Sequence, residues 1–446
     1  MERAGADREV EAVLRAEAPH VLARLARRVG DFASAEDAVQ EAMIAAARHW
    51  PAEGVPDRPR GWLLRTAERR FVDQVRSEQS RRAREQAVAR DRERLAPATD
   101  AQDGSDDEDD SLQLLFLCCH PVLSPGSAVA LTLRAVGGLG TAAIAAAFLV
   151  PENTVATRIS RAKQQIRAAG ARFVPPDPAE ERRRLRSVRQ VLYLMFNEGY
   201  AATASDQLQR RALADEAVRL TRTVHDRRPA DAETAGLLAL LLLAHARRDA
   251  RTTADGTLVP LADQDRRRWD VTMIADGLRL LDAALVEGAV GEYQLQAAIA
   301  AEHARAPHAD AVDWTRIATL YGLLEQVTRN PVVRLNRAVA VAEADGPEAG
   351  LMIMDGAADH DHPGQPDHDR ARDGRGDQER GRVHDQLRQT HRWWAVRAQL
   401  LERAGRLDEA RAHYREAAAR ATNRVEQRYL VGRAAALGPD DDSEPR

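Results

Sequence analysis

The stretch TAAIAAAFLVPENTVATRISRAKQQIR, residues 141–167, decides how this chain is read. Its first part runs from Thr141 through Ala143, Ile144 and Ala147, residues small enough for a close helix crossing. FLVP then breaks the run, and Pro151 has its backbone set for the first turn of a second helix. In that helix Val155 and Ile159 lie one turn apart and face a core. Glu152, Asn153, Thr154, Thr157, Arg158 and Arg161 are left outside. A helix, a short turn and a basic second helix form the unit that enters a DNA major groove. Arginine suits guanine edges there, and threonine and lysine suit phosphates. A solvated surface helix has the same pattern, so the surroundings must decide.

Just upstream, GLGTAA (138–143) fits the dinucleotide fingerprint G-x-G-x-x-A. No strand precedes it and no acid follows at the required distance, so it predicts a turn between helices. Cys118 and Cys119 are the only cysteines, and as neighbours in an apolar run they read as small core residues. With His120 they would be three consecutive helical residues, which cannot converge on one metal ion. Further upstream, DAQDGSDDEDDS (100–111) holds seven acids and no base, which predicts an acidic, disordered linker over 96–111.

Before that linker, RPRGWLLRTAERRFVDQVRSEQSRRAR (58–84) predicts a long helix. Trp62, Leu63, Ala67, Phe71 and Val75 form its apolar side, while Arg65, Arg69, Arg70 and Arg76 recur on another face. Arg58 to Arg94 holds twelve arginines against six acids, although the whole chain has a net charge of -4. Arginines beside aromatic rings suit melted, single-stranded DNA. SAEDAVQEAMIAAARHW (34–50) predicts another helix, opened by a capping box of Ser34 and Asp37. Two basic helical modules on either side of an acidic spacer can contact one duplex at two places.

Downstream, FVPPDPAEE marks a boundary, and from about residue 180 the chain reads as paired helices. LLERAGRLDEARAHYREAAARA (400–421) has the spacing of a tetratricopeptide-type helix pair, and residues 332–355 form a weaker copy. Such pairs bury their faces only by stacking, which predicts an α-solenoid over 180–437. Residues 356–390, rich in Asp, His, Gly and Arg, interrupt it as an insertion or a reading-frame disturbance. His360, His362 and His368 fall in this Gly/Pro-rich segment and give poor ground for a metal site.

The totals exclude other classes. The chain of 446 residues has no apolar run long enough to span a bilayer and opens on a charged segment unlike a signal peptide. A cytoplasmic location is expected. There is no nucleophile elbow, no metal-spaced His/Cys set and no phosphate loop with its lysine, Lys163 being the single lysine. Neither enzymatic activity nor a cofactor is expected. A stand-alone helix-turn-helix regulator with a ligand- or protein-binding solenoid is the alternative from another class.

DFASAEDAVQEAMIAAARHW followed by PRGWLLRTAERRFVDQVRSEQSRR resembles region 2 of the extracytoplasmic-function sigma factors, and residues 141–167 resemble region 4. The solenoid stretch resembles a subgroup with a tetratricopeptide-like C-terminal extension. The resemblance implies an alternative sigma factor whose partners are core RNA polymerase, through the β′ clamp helices and the β flap, and promoter DNA. It implies that Asp37, Gln40 and Glu41 grip polymerase. It assigns Arg65, Arg69, Arg70, Asp73 and Arg76 to the -10 element, with Arg70 standing where the family usually has Asn. It assigns Glu152, Asn153, Thr154, Thr157, Arg158 and Arg161 to the -35 element. The expected fold is all-α: a region 2 domain over 1–95, the linker, a region 4 helix-turn-helix domain over 112–174, the regulatory solenoid over 180–437 and an acidic tail over 438–446.

Overall fold

The computed structural model describes residues 2–85, 106–148, 150–171, 173, 177–200, 207–253, 259–286, 290–355, 390–421 and 424–438. Among them are eighteen α-helices, a few single 3-10 turns and no strand. No helix among them is long and apolar enough to cross a membrane. The interruption expected at 356–390 lies outside the described residues except for Thr390, and the acidic tail lies outside except for Gly438. The chain divides into two compact units, Met1–Ala202 with Asp206–Arg227, and Thr203–Ser205 with Arg228–Arg446.

The first unit begins with three long helices, α1 (Glu2–Val29), α2 (Phe32–Glu53) and α3 (Pro59–Glu85), each packed against the other two. Leu22 and Leu25 of α1, Ala35, Val39 and Ala42 of α2, and Leu63 and Ala67 of α3 are buried. Alanine on the inner face of α2 removes side-chain bulk, which lets its neighbours approach closely. This helix starts three residues earlier than the capping box at Ser34 predicts. Asp31 is the cap, accepting from Ala33 N at 3.1 Å and Ser34 N at 3.4 Å. A carboxylate also meets the positive end of the helix dipole, and the Ser34 hydroxyl merely donates to it at 2.7 Å.

Four shorter helices follow: α4 (Asp106–Cys118), α5 (Pro125–Ala135), α6 (Thr141–Phe148) and α7 (Glu152–Ala168). Residues 106–111, expected as linker, are the opening of α4. Cys118 and Cys119 are buried; Cys119 Sγ lies 3.5 Å from Thr132 Oγ1, and burial pushes its thiol up to about 12. The GLG of GLGTAA lies in the α5–α6 turn and its TAA opens α6, so helices flank it on both sides. Gly138 has φ +64, and a Cβ there would stand 2.7 Å from the Arg15 carbonyl oxygen of α1. Only glycine meets both conditions.

Helices α8 (Pro178–Tyr200) and α9 (Gln207–Arg227) form a hairpin that packs on α4, α5 and α6. Val188, Leu192 and Met195 of α8 and Ala217, Leu220 and Val224 of α9 are buried. The second unit therefore starts about fifty residues after the boundary expected at 180, because the apolar faces of α8 and α9 are used by the first unit.

The second unit contains α10 (Ala232–His245), α11 (Val271–Val286), α12 (Glu292–Arg305), α13 (Trp314–Thr328), α14 (Pro331–Asp345), α15 (Pro347–Met354), α16 (His391–Arg403), α17 (Leu407–Arg420) and α18 (Arg424–Ala436). Packing runs mostly between chain neighbours. Ile299, Ile317, Leu324 and Val333 form one core cluster. Leu335, Leu351, Trp393 and Leu400 form the next, and Tyr414, Ala417 and Leu430 a third. Gly350 lets α15 lie against α14: a Cβ there would meet Ala338 O at 2.6 Å and Ala342 Cβ at 2.7 Å. Glu233, in the first turn of α10, accepts from Tyr293 N and Gln294 N at 3.3 Å and so caps α12 from another helix.

Candidate nucleic-acid interface

Helix α7 is amphipathic in the manner its sequence predicts. Val155, Ile159, Ala162 and Ile166 are buried, and Pro151 stands at its start. Glu152, Asn153, Thr157, Arg158 and Arg161 are exposed, and Thr154 is half-buried. The Thr157 hydroxyl donates to the Asn153 carbonyl at 2.7 Å, which directs its lone pairs outward. The outer face of the amino-terminal half therefore offers two guanidiniums, an amide, hydroxyl groups and the Glu152 carboxylate.

On α3 the side chains of Arg65, Arg69, Arg70, Asp73 and Arg76 are all exposed. Trp62 is half-buried, its ring edge-to-face with Trp50 at 5.4 Å between centroids. That ring belongs to the α2–α3 packing, so the exposed surface here is made by arginine rather than by paired arginine and indole. On α2, Asp37 and Glu41 are exposed and Gln40 is half-buried.

The structure brings part of these sets together. Asp37, Gln40 and Glu41 of α2 share a cleft of about 520 Å³ with Arg70 and Asp73 of α3 and with Ala156, Ser160 and Lys163 of α7. Arg65, Arg69 and Arg76 do not line it, and neither do the α7 residues assigned to the -35 element.

Beside the cleft lies an ion cluster that the sequence reading missed. Glu36 of α2 is 2% exposed, and it accepts from Arg134 Nε of α5 at 3.2 Å and from Lys163 Nζ of α7 at 2.8 Å. The same ammonium donates to Asp37 Oδ1. One turn further along α7, Arg167 Nη2 reaches Asp31 Oδ2 at 2.8 Å and Ser34 Oγ at 3.1 Å. Burial works to lower the Lys163 pKa, but the Glu36 and Asp37 carboxylates outweigh it and the net displacement is upward. For Asp31, burial works upward, and the Ser34 and Arg167 hydrogen bonds together bring the carboxyl below its ordinary value. The signals in the sequence were slight: an acid on the apolar, alanine-rich side of α2, and one lysine in a chain that otherwise uses arginine.

Comparisons with known proteins agree with this geometry. The family model for sigma-70 region 2 matches residues 13–81, which span α1 to α3, and that for sigma-70 region 4 matches 113–166, which span α4 to α7. A family of unknown function (DUF6596) matches 184–285. An uncharacterized protein of Rhizobium meliloti (strain 1021) is 38% identical over 418 residues, 92% of this chain and 92% of that protein. A probable ECF RNA polymerase sigma factor, SigI, of Mycobacterium tuberculosis is 31% identical over 159 residues, which cover 35% of this chain and 54% of that protein. No solved structure matches. With both regions present in order, and each one a packed set of helices, the chain belongs to the sigma-70 family of RNA polymerase sigma factors, of the extracytoplasmic-function type.

Proposed function

We propose that this sigma factor works in the cytoplasm as a two-part promoter reader, with its second unit as an attached regulator. In this reading Asp37, Gln40 and Glu41 hold core polymerase at the β′ clamp helices, and region 4 meets the β flap. Arg65, Arg69, Arg70, Asp73 and Arg76 engage the -10 element. Glu152, Asn153, Thr154, Thr157, Arg158 and Arg161 read the -35 element. The observation that carries the reading is the pair of exposed basic faces, on α3 and on the first half of α7, within regions 2 and 4 of one chain. Neither face needs to bind tightly alone, because tethering both to polymerase raises their effective concentration on adjacent DNA.

For the second unit the support is its series of neighbour-packed helices, the packing expected of a stacked-repeat array, and such arrays commonly serve as contact surfaces. The test is transcription of genomic DNA by purified core polymerase, with and without the full chain, mapping the start sites. New starts that share a -35 and -10 pair support the reading and supply the promoter. Sequence-specific DNA binding without any new start or core binding moves the assignment to the stand-alone regulator.

A further inference from the structure

The face of α2 assigned to polymerase already has an occupant within the chain. Lys163 and Arg167, spaced four residues apart on α7, meet Glu36 and Asp37 at one level of α2 and Asp31 with Ser34 at the next. The acidic face of α2 is thus matched to a helix that presents cations one turn apart. We propose that the carboxyl-terminal half of α7 and core polymerase compete for this face, so that the free protein is held closed and polymerase binding displaces Lys163 and Arg167. The partner element this selects is a helix bearing a cation pair at the same spacing. The inference rests on the assignment of Asp37, Gln40 and Glu41 to polymerase.

Three observations suit a contact made to be released. First, it surrounds an open cleft of about 520 Å³ instead of a filled apolar seam, so charge holds it more than packing does. Second, Glu36 has two cations. When Lys163 leaves, Arg134 at 3.2 Å remains, and the buried carboxylate is not stranded. Third, the occupant of the Glu36–Asp37 level is the chain's single lysine among 65 basic residues, and the other occupant, Arg167, is more than half exposed. An ammonium is a compact, strongly hydrated charge that returns to water more readily than a guanidinium held by two parallel bonds. Closure leaves the outer face of Glu152 to Arg161 exposed while Asp37 and Glu41 sit at the cleft. What is withheld in the free protein is therefore the polymerase contact.

The single lysine also supplies the test. Acetic anhydride acylates Lys163 as the only side-chain amine, with the N-terminal amine as internal reference, and mass spectrometry reads both. In the free full-length chain at low salt, Lys163 is expected to react about tenfold more slowly than in the urea-unfolded chain, and saturating core polymerase is expected to remove most of that protection. In parallel, Lys163→Gln and Arg167→Ala, checked for folding by circular dichroism, should bind core polymerase about three- to tenfold more tightly than wild type, because the closed population no longer taxes the affinity. That gap should shrink as salt rises. Labelling of the free chain at the unfolded rate overturns the closed state. Protection unchanged by bound polymerase, or variants that bind no more tightly, overturn the competition while leaving the polymerase assignment standing. A protected Lys163 in a chain that does not bind core polymerase at all instead removes that assignment, and the competition with it.

Discussion

The α2–α7 contact of the first unit and the neighbour packing of the second hold helices together by different means, although both units also have apolar cores and ion pairs. In the first, α2 and α7 meet through ions: Glu36 and Lys163 are 127 residues apart, and the lysine is 14% exposed. In the second, successive helices bury Leu, Ile, Trp and Ala against their chain neighbours, and the clusters follow one another along the chain. Ionic contacts over a cleft weaken with salt and can exchange partners, whereas apolar contacts between neighbours cannot be traded for an outside helix without exposing surface. The difference makes the α2–α7 contact the more salt-sensitive of the two.

The largest expected break in this contrast is Glu36→Ala. It leaves Arg134 and Lys163 without their shared carboxylate and should destabilise the first unit by about 3 kcal/mol, and the salt dependence of that unit's melting should fall with it. Calorimetry of the full chain, following the two units' transitions, checks this. Next is Gly350→Val, whose added carbons collide with Ala338 and Ala342; it should cost the second unit about 2 kcal/mol and show little salt dependence.

A pH experiment sharpens the contrast further. His303 of α12 packs edge-on to Trp314 at 5.3 Å. Burial, with Arg247 and Arg266 nearby, holds its pKa down to about 4, against an ordinary value of 6.5. Between these values the unfolded chain binds a proton that the folded chain does not. Stability from this group is therefore present above the ordinary pKa and falls with pH down to about 4. The second unit should melt lower as pH drops through this window, and His303→Gln should flatten the slope. The smallest effect on stability belongs to Arg158→Ala, an exposed change expected to stay within about 0.5 kcal/mol while reducing transcripts from promoters that depend on the -35 element. A loss of folding there would break the assignment of that face.

Much of the first unit was legible from periodicity alone. The break at FLVP and the burial of Val155 and Ile159 follow from apolar spacing and a proline, which act within a few residues. What escaped depends on tertiary context. Asp31 displaces Ser34 as the α2 cap because it serves the dipole and also receives Arg167 from α7. The stretch 106–110 looks like linker by composition, yet its backbone is helical. The helices α8 and α9 read as the start of a repeat array, yet their apolar faces are taken by the first unit. At the candidate site the exposed arginines of α3 and α7 could be seen in the sequence. The pairing of Glu36 with Lys163 could not, since no local pattern links positions so far apart.

The Glu233 cap has a consequence for how the second unit is made. A helix is slow to start because its first turn orders several residues for one hydrogen bond. The carboxylate that receives the first amides of α12 belongs to α10, 60 residues earlier in the chain. During synthesis Glu233 emerges before its donors exist, so the acceptor can be waiting when Tyr293 and Gln294 appear. Together with the local Gln294 contact to Gly291 N, a carboxylate made early in synthesis then helps to fix where α12 begins.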